Sequence, residues 1–115
     1  MKQVVVIEED DDTRFIIEFI IKELGYIALC FKNILSIDKI IEIKPDIILI
    51  DHSYLDGQGG VLCQKLKSAP STIGIPIILM STLLSVAAIE GADEADALLE
   101  KPFDVEELNK VLLQF

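Results

Sequence analysis

The sequence predicts one doubly wound α/β domain, and three observations carry that prediction. Five short runs rich in Val, Ile and Leu recur along the chain, separated by segments whose apolar residues fall at helical spacing. The central runs lack the polar alternation of a half-exposed strand, so both of their faces must be covered, as in a parallel sheet flanked by helices. Polar residues collect immediately after these runs, at the carboxyl ends of the strands, where open parallel sheets hold their ligands.

Each element follows in order. Residues 3 to 7, Gln-Val-Val-Val-Ile, form the first strand. Asp11 and Asp12 offer capping carboxylates to a first helix with Phe15, Ile16, Phe19, Ile20 and Leu24 at helical spacing, stopped by Gly25. Tyr26 to Cys30 reads as a second strand, and Ile34, Ile37, Ile40 and Ile41 as the stripe of a second helix ending before Pro45. Residues 47 to 50, Ile-Ile-Leu-Ile, make the third and most apolar strand, which delivers Asp51 at its end. A Gly-rich loop leads to a helix from about Gly60 to Ser68, and Pro76 opens a fourth strand running through Ile77 to Ser81. A helical stretch from Leu84 to Gly91 and a solvated acidic turn, 91 to 96, precede a fifth strand at Ala97 to Leu99. The last helix, Val105 to Leu113, takes Asp104 as its cap.

A chain of 115 residues supports one core, so residues 1–115 are read as a single domain without an effector domain. A net charge of -10 argues against direct nucleic-acid binding, which needs clustered Lys and Arg. No apolar run approaches the roughly 20 residues of a membrane span, and the expected location is the cytoplasm. Cys30 and Cys63 lack any metal-binding spacing and read as small buried hydrophobes.

The strand ends carry the chemistry. Strand one ends in Glu8, Glu9 and Asp10, strand three in Asp51, strand four in Ser81 and Thr82, and strand five is followed by Lys101 and Pro102. Carboxylates gathered on adjacent strand ends repel one another and suit a divalent cation, with Mg²⁺ the natural occupant. Lys101 would supply positive charge and Ser81 a hydroxyl to a phosphoryl group held in line with an Asp51 oxygen. His52 follows Asp51, and strand alternation points it away from the acceptor.

These residues resemble the receiver domains of response regulators. The matching segments are Val-Ile-Glu-Glu-Asp-Asp-Asp-Thr-Arg at 6 to 14, Pro-Asp-Ile-Ile-Leu-Ile-Asp at 45 to 51, Asp56 with Gly59, Ile-Pro-Ile-Ile-Leu-Met-Ser at 75 to 81, and Lys-Pro-Phe at 101 to 103. The resemblance implies a flavodoxin-like five-stranded sheet of order 2-1-3-4-5 with five helices. It implies Asp51 as phosphoacceptor, Lys101 and Ser81 on the phosphoryl group, and Glu8, Glu9, Asp51 and the backbone carbonyl of Ser53 around Mg²⁺. A cis bond before Pro102 is also implied, as are a histidine kinase or phosphotransfer protein as donor and a downstream protein as partner. The chain would not be a turnover enzyme.

Departures from the pattern motivate a second reading. Glu9 stands where the family usually has a metal-binding Asp, and its extra methylene shifts the carboxylate by roughly 1.5 Å. Asp10 could enter the site instead if the loop slips by one residue. Leu98 replaces a frequent aromatic residue and Thr82 a smaller one, both on the face that passes the signal on. A receiver-like binding module with weak or no phosphorylation is therefore the alternative. An aspartyl-phosphate phosphatase fits less well, since Ser53 stands where an Asp-x-Asp pair would place its second carboxylate.

Overall fold

Along each central strand, successive side chains point to opposite faces of the sheet, and this period of two divides the interior into two cores. Val5, Ile7, Ile48, Ile50, Ile77 and Leu79 belong to one, and Val4, Val6, Ile47, Leu49, Ile78 and Met80 to the other. All twelve are fully buried. Each such Val, Ile or Leu side chain contributes about 1.5–3 kcal/mol on burial, so no central strand can slip by one residue. The computed structural model describes residues 1–34, 36–82 and 91–115.

The strands are β1 (Gln3–Ile7), β2 (Ile27–Phe31), β3 (Ile47–Asp51), β4 (Ile77–Ser81) and β5 (Ala97–Glu100), paired in parallel in the order β2-β1-β3-β4-β5. This is the predicted sheet. β2 begins one residue later than expected, because Tyr26 donates its N–H to the Ile21 carbonyl and closes the preceding helix. Helices α1 (Asp11–Glu23) and α5 (Val105–Leu112) cover one face through Ile17, Ile21, Leu108 and Leu112. On the other face, α2 (Asp38–Ile43) and α4 (Gly59–Ser68) bury Ile40, Leu62, Cys63 and Leu66. Between β3 and α4 lies α3 (Tyr54–Gly57), a single irregular turn where the sequence predicts only a loop. The helix expected over 84 to 91 lies outside the described residues, apart from Gly91.

Several expectations change in the folded chain. Asp10, not Asp11 or Asp12, caps α1: its Oδ2 accepts from the Thr13 N–H at 2.8 Å and the Thr13 hydroxyl at 2.6 Å. Asp11 and Asp12 fall in the first turn, where carboxylates oppose the positive end of the helix dipole. The buried positions of α1 are Ile17 and Ile21, while Phe15, Ile16 and Phe19 are exposed, so the predicted stripe was rotated relative to the inward face. These three large apolar side chains therefore lie on the surface. Cys63 is buried as expected, but Cys30, on the edge strand β2, is only half-buried. The turn at 91 to 96 is not wholly solvated either. Gly91 and Ala92 are buried, and Asp96 pairs with Lys67 at 2.7 Å while accepting from the Ile77 N–H.

Candidate functional site

The carboxyl ends of β1, β3 and β4 and the segment after β5 converge on one acidic cleft. Glu8 directly follows β1, Asp51 closes β3, Ser81 closes β4, and all three are buried. Lys101 follows β5, where its N–H donates to the Ser81 carbonyl at 2.8 Å and its peptide bond to Pro102 is cis, as the resemblance implied. Its ammonium lies 2.5 Å from Glu8 Oε1 and 3.1 Å from Asp51 Oδ1. One cation therefore bridges the two buried carboxylates.

This arrangement separates the proton affinities of the pair. Burial pushes Glu8 up, and the neighbouring Asp51 charge adds to that push, so its pKa stays above the ordinary range despite Lys101. Burial also acts upward on Asp51, but the Ser53 hydroxyl and the Lys101 charge outweigh it and hold its pKa below the ordinary value. For Lys101, burial favours the neutral amine, yet Glu8 and Asp51 prevail and raise its pKa. Asp51 is thus anionic at neutral pH, the state a nucleophilic carboxylate requires.

Other residues hold the frame. Arg14, on α1, donates from Nη1 to the Glu8 carbonyl at 3.0 Å and the Glu9 carbonyl at 3.4 Å, while Nη2 binds Asp11 Oδ1 at 2.6 Å. It clamps the backbone of the acidic loop, a role that only the charge and spacing of Arg14 hinted at. The Ser53 hydroxyl donates to Asp51 Oδ2, whereas the expected role involved only its carbonyl. That carbonyl accepts from the Gly57 N–H at 3.3 Å, leaving one lone pair toward other groups. Gly59 lets α4 approach β3: a Cβ there would lie 2.7 Å from His52 Cα and closer still to the Asp51 carbonyl oxygen. His52 Nδ1 is buried and makes no hydrogen bond among the described residues.

The expected carboxylates do not all meet. Glu8 and Asp51 offer adjacent hard oxygen donors, the chemistry that suits Mg²⁺, which needs only one or two carboxylates and retains water. Glu9 is engaged by the turn after β3, where its Oε1 accepts from the Leu55 N–H. Asp10, the alternative, caps α1 through Thr13. Among the described residues no group of three His, Cys, Asp or Glu stands together as a metal set. Of the two residues expected on the signalling face, Thr82 is exposed and lines a cleft of about 380 Å³ with Ile16, Lys101 and Pro102. Leu98, on β5, is exposed to 44%.

Residues 4–113 match the family model of the response regulator receiver domain. The chain belongs to this family. It is 28% identical over 111 residues to the DNA-binding dual master transcriptional regulator RpaA of Synechocystis, an alignment covering 94% of this chain and 46% of that protein. This receiver therefore spans less than half the length of that relative. Among solved structures it is similar to the chemotaxis response regulator CheY4 of Vibrio cholerae, with a TM-score of 0.88 and 21% identity, covering 99% of this chain and 98% of the other. It is likewise similar to the receiver domain of sensor histidine kinase PA1611 from Pseudomonas aeruginosa PAO1, whose structure has a magnesium ion coordinated in the active-site cleft. There the TM-score is 0.85 and the identity 20%, over 98% of this chain and 95% of that one. Both neighbours share the fold at low identity. Receiver domains are signalling modules of two-component systems, not turnover enzymes. No helix among the described residues is long and apolar enough to cross a membrane.

Proposed function

We propose that this receiver accepts a phosphoryl group on Asp51 from a histidine kinase or phosphotransfer protein and signals through contacts with a downstream protein. The observation that carries the reading is Asp51, buried at the end of β3 with the Lys101 ammonium 3.1 Å from Oδ1. An Asp51 oxygen attacks phosphorus, the bond from phosphorus to the donor nitrogen breaks, and the leaving imidazole keeps the electron pair. Lys101 is placed to neutralise charge on the incoming phosphoryl oxygens. Ser81, at the adjacent strand end, is assigned the hydroxyl contact to another of them. Glu8 and Asp51, with the Ser53 carbonyl, would hold Mg²⁺, which when bound offsets the negative charge of the cleft and of the phosphoryl group.

Incubation with MgCl₂ and acetyl phosphate, or with beryllium fluoride, tests this reading. An adduct detected by mass spectrometry or by amide shifts, and lost in Asp51→Asn, is expected. No adduct at saturating Mg²⁺ would reject it. Glu9 engaged on Leu55 and Leu98 in place of an aromatic residue favour the second reading, a binding module independent of phosphorylation. Partner binding unchanged by Asp51→Asn would support that alternative.

A further inference from the structure

We infer that Glu9 is a positioning residue that latches the α3 turn across the cleft, and not a direct metal ligand. The inference rests on the proposed metal reading only for its comparison of ligands, since the latch itself is a contact within the chain. Glu9 sits on the loop after β1, and its Oε1 accepts from the N–H of Leu55, a residue of the turn after β3. The longer side chain supplies the reach. An Asp at this position would fall short by roughly 1.5 Å, too far for a hydrogen bond to the same N–H.

The turn that Glu9 grips needs such a hold. Leu55, Asp56 and Gly57 have φ of 46°, 56° and 94°, and only the last is a residue for which the left-handed region is free of steric cost. Two successive non-glycine residues in that region persist when surrounding contacts determine them. On the near side, the Tyr54 hydroxyl donates to the Ile34 carbonyl at 2.8 Å and anchors the start of the turn. On the cleft side, Glu9 holds the next residue. Leu55 also lines a cavity of about 790 Å³ with Ile34, Tyr54, Val61, Leu62 and Lys65, so the latch ties the acidic loop to one wall of that groove. Meanwhile Glu8 and Asp51 meet at Lys101 in ion pairs that do not include Glu9, so the latch leaves that pair as it stands.

The ligand and latch roles rank substitutions differently. A latch needs an acceptor at the right length, so Gln can replace Glu whereas Asp and Ala cannot. A ligand needs charge, so Asp can replace Glu whereas Gln and Ala cannot. The test measures Leu55 amide exchange by NMR, and the Kd for MgCl₂ by titration, on the whole chain carrying E9A, E9D or E9Q. Leu55 exchange about tenfold faster in E9A and E9D, which lose the hydrogen bond, and within about threefold of wild type in E9Q, whose neutral amide oxygen still accepts it, is expected. The Mg²⁺ Kd of E9A should stay within about threefold of wild type, the residue of a nearby charge acting through solvent. Weakening of Mg²⁺ binding by about tenfold or more in E9A, the size of effect a lost ligand produces, overturns the inference, as does unchanged Leu55 exchange. If the wild-type chain binds no Mg²⁺, the metal reading fails and the Leu55 exchange alone decides the latch.

Discussion

Replacing Lys101 with Met should convert a neutralised acidic pair into a self-repelling one, at a cost that grows with pH. Met preserves most of the apolar stem and removes the ammonium lying 2.5 Å from Glu8 Oε1 and 3.1 Å from Asp51 Oδ1. The two carboxylates are 1% and 3% exposed, so solvent screens them little. Removing the partner of buried charges costs about 3–5 kcal/mol when those charges stay ionised. One of them can instead keep a proton and hydrogen-bond to the other. Glu8 is the group that does so, because burial and the Asp51 charge already hold its pKa above the ordinary value with Lys101 present. A group whose pKa is higher in the folded state stabilises fully below its unfolded pKa and loses that contribution as pH rises through the folded one. The gap between variant and wild type is therefore smallest near about pH 4 and opens by at most about 1.4 kcal/mol per pH unit. Reaching 3–5 kcal/mol then takes about 2–4 pH units. Urea unfolding of both proteins from acid to mildly alkaline pH measures the gap directly. A pH-independent difference, or one that widens toward acid, would refute the electrostatic account of the cleft.

Three further outcomes follow from packing and burial. Gly59→Ala forces a Cβ against the backbone of Asp51 and His52, and a loss of about 1–3 kcal/mol or more in urea unfolding is expected, together with reduced adduct formation at the displaced Asp51. Asp104→Ala removes the capping box of α5, in which Asp104 Oδ1 accepts from the Glu107 N–H at 2.8 Å; it should cost about 1 kcal/mol and leave adduct formation unchanged. Burial pushes the thiols of Cys30 up to about 11 and Cys63 up to about 12, so at about pH 8 roughly one in a thousand or fewer is thiolate. Iodoacetamide should modify half-buried Cys30 before Cys63 in native protein, and the reverse order by mass spectrometry would contradict the packing.

The strand pattern was legible because β-branched residues on a doubly covered sheet leave continuous apolar runs, as in Val4–Ile7 and Ile47–Ile50. The α1 stripe was less so. With Phe15, Ile16, Ile17, Phe19, Ile20 and Ile21 in seven positions, more than one face satisfies helical spacing, and contact with the sheet selects Ile17 and Ile21. The α5 cap was legible at Asp104 because its hydrogen-bonding partner lies three residues away; at α1 three successive aspartates competed for the same role, and geometry selected Asp10.

By itself, the sequence determined the alternating α/β architecture and the positions of Asp51, Lys101, Glu8 and Ser81 at strand ends, since burial periodicity and chain order are local properties. Only the tertiary structure decided how those groups pair. Lys101 reaches Glu8 across 93 residues, Leu55 captures Glu9 across 46, and Arg14 clamps the intervening loop. Such contacts depend on side-chain reach and competing donors in three dimensions, which residue order along the chain does not encode locally.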